Sequence, residues 1–206
     1  MPTSGIILAG GKNSRMGANK ALLTLGNRTF IQDAVQNLRQ FCAEIIVVSN
    51  EPELYRDLGV KVTEDIIPKK GPLSGIHAGL TVSANFHNFI VACDMPFLNW
   101  TLGKYMVDNV DGLDVLIPRI GEYLQPLHAV YSKNCIRPIE KCLEQNIFKA
   151  QNIFKVIAFY PEVKVGYLDE DKIRELVDVD KVFFNVNTPE DLNRAKAIKN
   201  ITERMG

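Results

Sequence analysis

The sequence predicts an α/β fold, a doubly wound and mostly parallel sheet with helices on both faces. Short apolar runs recur along the chain, and helical patterns lie between them through its first two-thirds. Several of the runs are continuous rather than alternating, which is typical of strands that are buried on both faces. The predicted strands cover residues 5–9, 44–49, 60–64, 89–93, 114–118, 127–132 and 182–186.

The segments between these strands carry helical periodicity. In the first segment, Ile31, Val35 and Leu38 recur at the spacing that brings side chains to one face of a helix. We therefore predict helices over residues 29–41, 72–84, 100–110 and 135–145.

Two features of the second half refine this fold. A turn at Gly121 predicts a hairpin, and so an antiparallel excursion of the sheet near residues 116–132. Near the end of the chain, Thr188 is suited to be the N-cap of a helix and Pro189 its first residue. Asp191 is suited to be the partner of Thr188 in a capping box. We therefore predict a terminal helix after Thr188.

Length, charge and cysteine content narrow the class of protein. The chain has 206 residues, of which 46% are hydrophobic and 23% charged, and this predicts one globular domain over residues 1–206. Its 24 basic and 24 acidic residues give zero net charge, which disfavours nucleic acid as a partner. The four cysteines form no CxxC pair and no zinc spacing, which favours reduced thiols in the cytoplasm. No signal peptide or membrane span is predicted, and so no membrane partner.

The first functional motif is the glycine-rich, cationic stretch LAGGKNSRMGANKALL, residues 8–23. Gly10 and Gly11 end the first strand, where the absence of Cβ atoms lets backbone N–H groups approach a ligand closely. Arg15 offers a planar fork for phosphate oxygens, and Lys20 a point charge. The spacing is neither GxGxxG nor GxxxxGK[ST], so a triphosphate is favoured over a dinucleotide. The alternative is a glycine turn with solvated basic residues.

The second motif, FIVACDMPF at residues 89–97, delivers Asp94 at the carboxyl end of a predicted strand. Because ligands of a wound sheet collect at that edge, Asp94 should face the cationic loop. Mg²⁺ binds one or two carboxylates together with phosphate oxygens, so Asp94 is the candidate metal ligand. The alternative is an aspartate that caps the following turn.

The third motif, EDIIPKKGPLSGIHAGL, spaces Gly71, Gly75 and Gly79 four residues apart. Small residues on one face let a helix pack closely against a neighbour, or let a base lie against its backbone, and the sequence leaves both readings open. Asp65 precedes these glycines. It either accepts hydrogen bonds from a ligand or caps the turn.

In this order and spacing, LAGGKNSRMGANKALL, GPLSGIHAGL and ACDMPF resemble the molybdenum cofactor guanylyltransferase family. These enzymes belong to the nucleotidyltransferases that begin with a loop of G-x-S/G-x-R-M-G type. The match continues more weakly through QPLHAVY and FNVNTPEDL. The resemblance implies a Rossmann-like nucleotidyltransferase fold.

The resemblance also implies roles for individual residues. Arg15, Lys20 and Asp94 would act on the triphosphate, with Asp94 as the ligand of Mg²⁺. Gly11 extends the nucleotide-binding loop. One departure is Asn19, where the family often has an acid, so Lys20 lacks a charged neighbour in sequence. The residues expected to contact the nucleotide are Leu8, Ala9, Gly10, Lys20, Asn50, Asp65 and Asp94.

The implied reaction joins GTP to molybdenum-bearing molybdopterin, giving molybdopterin guanine dinucleotide and pyrophosphate. Residues 1–100 would bind the nucleotide and residues 101–206 the acceptor. Within the second half, Arg119, Gln125 and residues 185–187 are the natural place to look for contacts with the pterin. Molybdoenzymes or cofactor-delivery proteins are further possible partners.

Two alternatives stay open at this point. One is a sister nucleotidyltransferase, either a cytidylyltransferase for the same pterin or an enzyme that acts on a sugar or alcohol phosphate. The other is a non-catalytic module that carries the cofactor. Asp94 favours an enzyme, because a carrier has less need of a metal-binding carboxylate.

Overall fold

A computed structural model describes residues 1–10, 19–68, 71–144 and 156–205, the side chains of residues 202–205 excepted. The strands are β1 Thr3–Leu8, β2 Thr24–Leu25, β3 Arg28–Thr29, β4 Glu44–Val48, β5 Lys61–Thr63, β6 His87–Ala92, β7 Val115–Ile120, β8 Tyr123–Leu124, β9 His128–Ser132 and β10 Val165–Asp169. The α-helices are α1 Phe30–Leu38, α2 Pro72–Val82, α3 Trp100–Asp108, α4 Ile136–Glu144, α5 Glu170–Leu176, α6 Val179–Val182 and α7 Pro189–Met205. Short 3₁₀ helices cover Lys20–Leu22, Pro52–Leu58, Lys133–Cys135 and Tyr160–Glu162.

The main sheet confirms the predicted doubly wound, mostly parallel architecture. Its strands lie in the order β10-β7-β9-β6-β1-β4-β5, and β8 pairs with β7. Strand β1 lies between β4 and β6 and is parallel to both, so that Ile6 is in register with Ile46 on one side and Ile90 on the other. Strand β9 runs antiparallel to β6 and β7, and β8 is antiparallel to β7. The predicted antiparallel excursion is therefore confirmed.

The continuous apolar strands contribute alternate residues to two cores, one on each face of the sheet. In β1, Ile7 belongs to the core that also contains α1 and α3, whereas Ile6 belongs to the core on the opposite face, which contains α2 and α4. The same alternation holds along β4 and β6, because successive side chains of a strand point to opposite faces. Helices on both faces of the sheet are the reason why its central strands show no polar alternation.

The prediction of a strand at residues 182–186 is wrong. Val182 ends helix α6, and the residues that follow form an irregular segment in which Val186 donates its N–H to the carbonyl of Asp94. The edge of the sheet beside β7 is formed by β10, a strand that is absent from the sequence-based prediction. Strand β10 pairs with β7 alone, and only Leu168 in it is buried, so its apolar signal is weak.

The ends of the helices follow the sequence signals. Thr188 Oγ1 accepts the N–H of Asp191, and the Asp191 carboxylate accepts the N–H of Thr188, which completes the predicted capping box of α7. Helix α1 begins with the same reciprocal arrangement between Thr29 and Gln32. Among the described helices, none has both the length and the apolar character needed to cross a membrane.

The glycines of α2 allow this helix to approach β1 closely. A Cβ added to Gly79 would lie 2.6 Å from Ile6 Cγ2, and one added to Gly75 would lie 3.1 Å from Leu8 Cδ2. Gly71, at the N-cap of α2, has a φ of 74°, which L residues rarely adopt. Close packing is thus a physical reason for glycine at residues 75 and 79.

We expect Gly79→Ala to lower the free energy of unfolding by about 1–3 kcal/mol, the usual cost of overpacking a core. The added methyl group would overlap Ile6, a buried residue in the middle of β1. Urea unfolding of the variant measures the loss. Thr81→Ala, on the exposed side of the same helix, is the control and should change stability by about 0.5 kcal/mol or less. Equal midpoints for wild type and Gly79→Ala would contradict the packing argument.

A second prediction concerns His128, which is completely buried between the rings of Phe89 and Phe183. Burial lowers the pKa of His128 from its ordinary value of 6.5 to about 3. Between these values the unfolded chain binds more protons than the folded chain, so stability falls as the pH drops below 6.5. From pH 6.5 to pH 5 this residue should account for a loss of roughly 2 kcal/mol.

We expect His128→Phe to lessen that acid sensitivity, because phenylalanine fits the aromatic surroundings and binds no proton. Urea unfolding of both proteins at pH 5, 6 and 7 provides the measurement. The difference in stability between variant and wild type should shift in favour of the variant as the pH falls. A constant difference at all three pH values would count against the buried, neutral state of His128.

Candidate active site

The candidate site lies at the carboxyl ends of β1, β4, β5 and β6. From β1 the chain moves outward to β4 and β5, and it then crosses back to β6 on the other side of β1. The strand order therefore reverses between β1 and β6, and ligands of open α/β sheets bind outside the carboxyl ends of the strands at such a switch point. The sequence-predicted polar residues within the described ranges fall into two clusters at this edge.

The first cluster joins Lys20, Asp94 and Asn187. The Lys20 ammonium lies 3.4 Å from Asp94 Oδ2 and donates a hydrogen bond of 2.6 Å to Asn187 Oδ1. The side chains of Lys20 and Asp94 are 20% and 25% exposed, so both charges are partly shielded but reachable by a ligand. The predicted proximity of the loop lysine and the strand-end aspartate is confirmed. We call this set the phosphate cluster.

Sequence reasoning missed the contact made by Asn187. Its backbone N–H bonds to the Asp191 carboxylate at the start of α7, and the preceding residue Val186 bonds to the carbonyl of Asp94. Asn187 is thereby held beside Lys20, although the two residues are far apart in sequence. The available signal was the weakly matching FNVNTPEDL stretch, which suggested only a place to look for contacts with the pterin.

A small apolar core beneath the phosphate cluster ties its three segments together. It contains Leu25 and Phe30 from the segment after Lys20, and Val186 and Ala195 from the segment around Asn187. Phe97, close after Asp94, packs against the same core. The hydrophobic contacts thus hold the phosphate cluster from below and leave its polar side chains at the surface.

The second cluster joins Asn50, after β4, to Asp65, after β5. The amide of Asn50 donates from Nδ2 to Asp65 Oδ2 at 3.0 Å, and its Oδ1 accepts the backbone N–H of Asp65 at 3.2 Å. This pair of hydrogen bonds orients the Asp65 carboxylate. A Cβ added to Gly75 would lie 3.8 Å from Asp65 Oδ1, so the second oxygen faces the start of α2. We call this set the carboxylate cluster.

Residues Leu8, Ala9 and Gly10 lie between the two clusters. Leu8 is buried, its carbonyl accepts the N–H of Cys93, and the N–H of Ala9 bonds to the carbonyl of Val48. Gly10 is exposed, and nothing described lies within 4 Å of a Cβ placed on it. The backbone at the end of β1 is therefore held by hydrogen bonds to both neighbouring strands up to Ala9, and Gly10 beyond it is exposed.

Two of the predicted site residues lie outside the described residues. Gly11 and Arg15 fall within residues 11–18, which the structure does not describe.

Cys93 has a different character from its neighbour Asp94. Burial raises the pKa of the Cys93 thiol to about 12, so the thiol is protonated at neutral pH. Burial likewise raises the pKa of Cys42 and of Cys135 to about 12. A protonated thiol is a poor nucleophile, so Cys93 does not supply one beside Asp94.

Within the described ranges, no group of three or more His, Cys, Asp or Glu side chains is arranged to hold a metal ion. Asp94 is accordingly a single carboxylate rather than part of a closed cage. Its described contact uses Oδ2.

Comparison with known proteins agrees with this geometry. Residues 5–162 match the model of the MobA-like NTP transferase domain. A relative from Pelotomaculum thermopropionicum, named probable molybdenum cofactor guanylyltransferase, is 45% identical over 96% of this chain and 94% of its own. A relative of the same name from Carboxydothermus hydrogenoformans is 37% identical, with 96% of each chain covered.

A solved structure extends the likeness to three dimensions. The molybdopterin-guanine dinucleotide biosynthesis protein A from Archaeoglobus fulgidus superposes with a TM-score of 0.80 at 25% identity, covering 96% of this chain and 99% of that one. The family model spans well over half of the chain, and the relatives span nearly all of it. As its three motifs predict, the chain belongs to the MobA-like NTP transferase family and is a nucleotidyltransferase.

Proposed function

We propose that the chain transfers GMP from GTP to the terminal phosphate of molybdenum-bearing molybdopterin. The products are molybdopterin guanine dinucleotide and pyrophosphate. The observation that carries the proposal is the Lys20–Asp94 pair at the switch point of the sheet, in a chain of this family. The names of its relatives, which span 94% or more of both chains in the two comparisons above, support the same substrates.

The two clusters suggest how GTP lies across the sheet edge. The phosphate cluster contains the Lys20 ammonium, so it suits the negatively charged triphosphate. The carboxylate cluster contains the Asp65 carboxylate, which accepts hydrogen bonds and so suits the base. Leu8, Ala9 and Gly10 lie between them, with an exposed backbone at Gly10 that lets the nucleotide pass closely over β1. Arg15, from the same loop, remains a proposed contact of the triphosphate.

Asp65 supports guanine over cytosine. Asn50 occupies one oxygen of the carboxylate, and the other oxygen remains an acceptor that faces α2. Guanine presents adjacent N–H donors on its Watson–Crick edge, whereas cytosine presents its amino group beside an acceptor nitrogen. A carboxylate accepts hydrogen bonds and cannot donate them, so it pairs better with guanine.

Asp94 fits a Mg²⁺ ion that is shared with the substrate. Mg²⁺ is commonly held by one or two carboxylates and completes its octahedron with phosphate oxygens and water. A single partly exposed carboxylate beside a phosphate-binding lysine matches that mode, and the described residues offer no closed cage of carboxylates. When bound there, the ion would neutralise charge on the phosphate oxygens.

The remaining chemistry is electrostatic positioning. An oxygen of the pterin phosphate attacks the α-phosphorus of GTP, the bond from that phosphorus to the bridging oxygen breaks, and pyrophosphate leaves. Lys20, already oriented by Asn187, donates N–H groups to oxygens that gain negative charge. A phosphate monoester is largely ionised near pH 7, so the attacking oxygen needs no general base.

We further propose that residues 101–206 bind the acceptor within one domain that spans residues 1–206. Asn187 of that half contacts Lys20 of the first half, which supports one site shared by both. Arg119 is engaged by Asp169 at 2.7 Å, and its guanidinium lies over the ring of Tyr167. An arginine in this setting would have to exchange a carboxylate for a substrate phosphate.

The function is tested by incubating the purified protein with molybdenum-bearing molybdopterin, Mg²⁺ and each of GTP, CTP, ATP and UTP. Release of pyrophosphate is measured, and GTP should give the fastest release. A preference for CTP would identify a cytidylyltransferase instead. No pyrophosphate from any nucleotide would overturn the transferase proposal and favour a carrier.

We expect Asp65→Asn to reduce kcat/KM for GTP by about tenfold or more, because the new amide turns a donor toward the donors of guanine. The GTP-to-CTP ratio of kcat/KM should fall with it. Glu64→Gln, an exposed neighbour that also loses a carboxylate, is the matched control. An unchanged GTP-to-CTP ratio of kcat/KM in Asp65→Asn would show that Asp65 does not recognise the base.

We expect Lys20→Met to reduce kcat/KM for GTP by roughly 10- to 100-fold, the worth of a charge-assisted hydrogen bond. Asp94→Asn should abolish turnover that depends on divalent metal. Lys104→Met, which removes an exposed lysine from α3, should leave the kinetics unchanged. Wild-type rates in either site variant would remove that residue from the mechanism.

A further inference from the structure

Tyr55 is a buried polar residue that the proposed reaction does not use directly. It lies on the 3₁₀ helix Pro52–Leu58, where it is the one buried side chain among the described residues of that helix. Its ring packs in the core formed by β1, β4 and α1, and the residue is completely buried. A buried hydroxyl group is costly unless it is hydrogen-bonded, so its partners indicate what the tyrosine does.

The hydroxyl of Tyr55 joins two points of the chain, Ala9 and Asn19, that lie on either side of residues 10–18. It donates to the carbonyl of Ala9 at 3.3 Å and accepts a hydrogen bond from Asn19 Nδ2 at 3.0 Å. A phenol can play both roles at once, since it has one donor and two lone pairs. Ala9 immediately precedes residues 10–18, and Asn19 immediately follows them. One hydroxyl group thus connects both ends of this segment.

Asn19 passes the constraint on to Lys20. Its Oδ1 accepts the N–H of Ala21 at 3.0 Å and so caps the turn Lys20–Leu22. Since Nδ2 is held by Tyr55, the amide group of Asn19 is bound at both of its polar atoms. The direction in which the turn starts, and with it the reach of Lys20 toward Asp94, depends on this amide.

We propose that Tyr55 is a positioning residue that ties Ala9 to Asn19 and, through Asn19, orients Lys20 for the transfer of the nucleotidyl group. The inference rests on the proposed function for its catalytic consequence. A lysine that is oriented before the substrate binds loses less conformational freedom in the reaction, which raises the rate. The carbonyl of Ala9 is held by the same hydroxyl, so the nucleotide-binding end of β1 and the lysine keep a constant separation.

The amide of Asn19 allows the Tyr55 hydroxyl to make both hydrogen bonds at once. Because Asn19 donates to the phenol oxygen, the hydroxyl hydrogen of Tyr55 is free to point at Ala9. An aspartate at this position would accept that hydrogen, and Ala9 would lose its donor. Asn19→Asp therefore changes the direction of one hydrogen bond while it keeps the shape of the side chain.

The decisive variant is Tyr55→Phe, compared with Tyr131→Phe. Tyr131 is also completely buried, and its hydroxyl also donates to a backbone carbonyl, that of Pro126 at 2.7 Å, but it lies in the core on the other face of the sheet. Both variants should lose similar stability in urea. Only Tyr55→Phe should lower kcat/KM for GTP, by about three- to tenfold, the worth of one hydrogen bond.

A double-mutant cycle tests whether Tyr55 acts through Asn19. Each of Tyr55→Phe and Asn19→Ala should reduce kcat/KM, and the two together should do little more than Asn19→Ala alone, since both remove one connection. Strictly multiplicative effects would overturn the proposal. Equal kinetic losses in Tyr55→Phe and Tyr131→Phe would overturn it as well, because they would reflect general destabilisation.

A readout that needs no activity separates this inference from the proposed function. Trypsin cuts after lysine and arginine, and Lys20 directly follows Asn19. Cleavage after Lys20 should be several-fold faster in Tyr55→Phe and Asn19→Asp than in Tyr131→Phe, whereas equal rates would contradict the link from Tyr55 to Lys20. If the wild type releases no pyrophosphate, the proposed function fails, and the cleavage rates still decide whether Tyr55 holds Asn19 and Lys20 in place.

Discussion

The structure depends on the burial of β1 between two parallel neighbours and two helical layers. Because β4 and β6 both pair with β1 in the same direction, their carboxyl ends meet at one edge of the sheet. Because both faces of β1 are covered, the side chains nearest its carboxyl end, Ile6, Ile7 and Leu8, are apolar and buried in the two cores. The polar side chains at that edge, Lys20, Asn50, Asp65 and Asp94, therefore come from the segments that follow the strands, where the strand order reverses beside β1.

The two polar clusters differ in what supports them. The carboxylate cluster is held by two hydrogen bonds between Asn50 and Asp65, residues that follow neighbouring strands. The phosphate cluster instead relies on the apolar core around Phe30 and Val186, which joins the turn after Lys20 to the start of α7. The charged groups of Lys20 and Asp94 are 3.4 Å apart, and both side chains are partly shielded from solvent.

The departure at Asn19 acquires a physical meaning from its contacts. A neutral amide beside Lys20 both caps the turn and bonds to Tyr55, so the lysine is oriented without a charged neighbour in sequence. Its counter-charge comes from Asp94 and its second partner is Asn187, both distant in the chain.

The sequence by itself determined the fold class, most of the elements and the residues at the edge of the sheet. Continuous apolar runs such as 44–49 are typical of strands buried on both faces, and glycine, proline and capping residues act through local conformation. The loop with Lys20 and the strand end with Asp94 were predictable for the same reason, since a strand places its following residue at a known edge.

Only the tertiary structure decided which side chains meet across long separations. The run at 182–186 looks like a strand, yet Val182 ends α6 and Val186 donates its N–H to the carbonyl of Asp94, while β10 pairs with β7 at the sheet edge. The contact of Asn187 with Lys20, and that of Tyr55 with Ala9 and Asn19, leave no periodic trace in the sequence. A hydrogen bond between distant residues depends on the packing of whole elements, and local propensity carries no information about it.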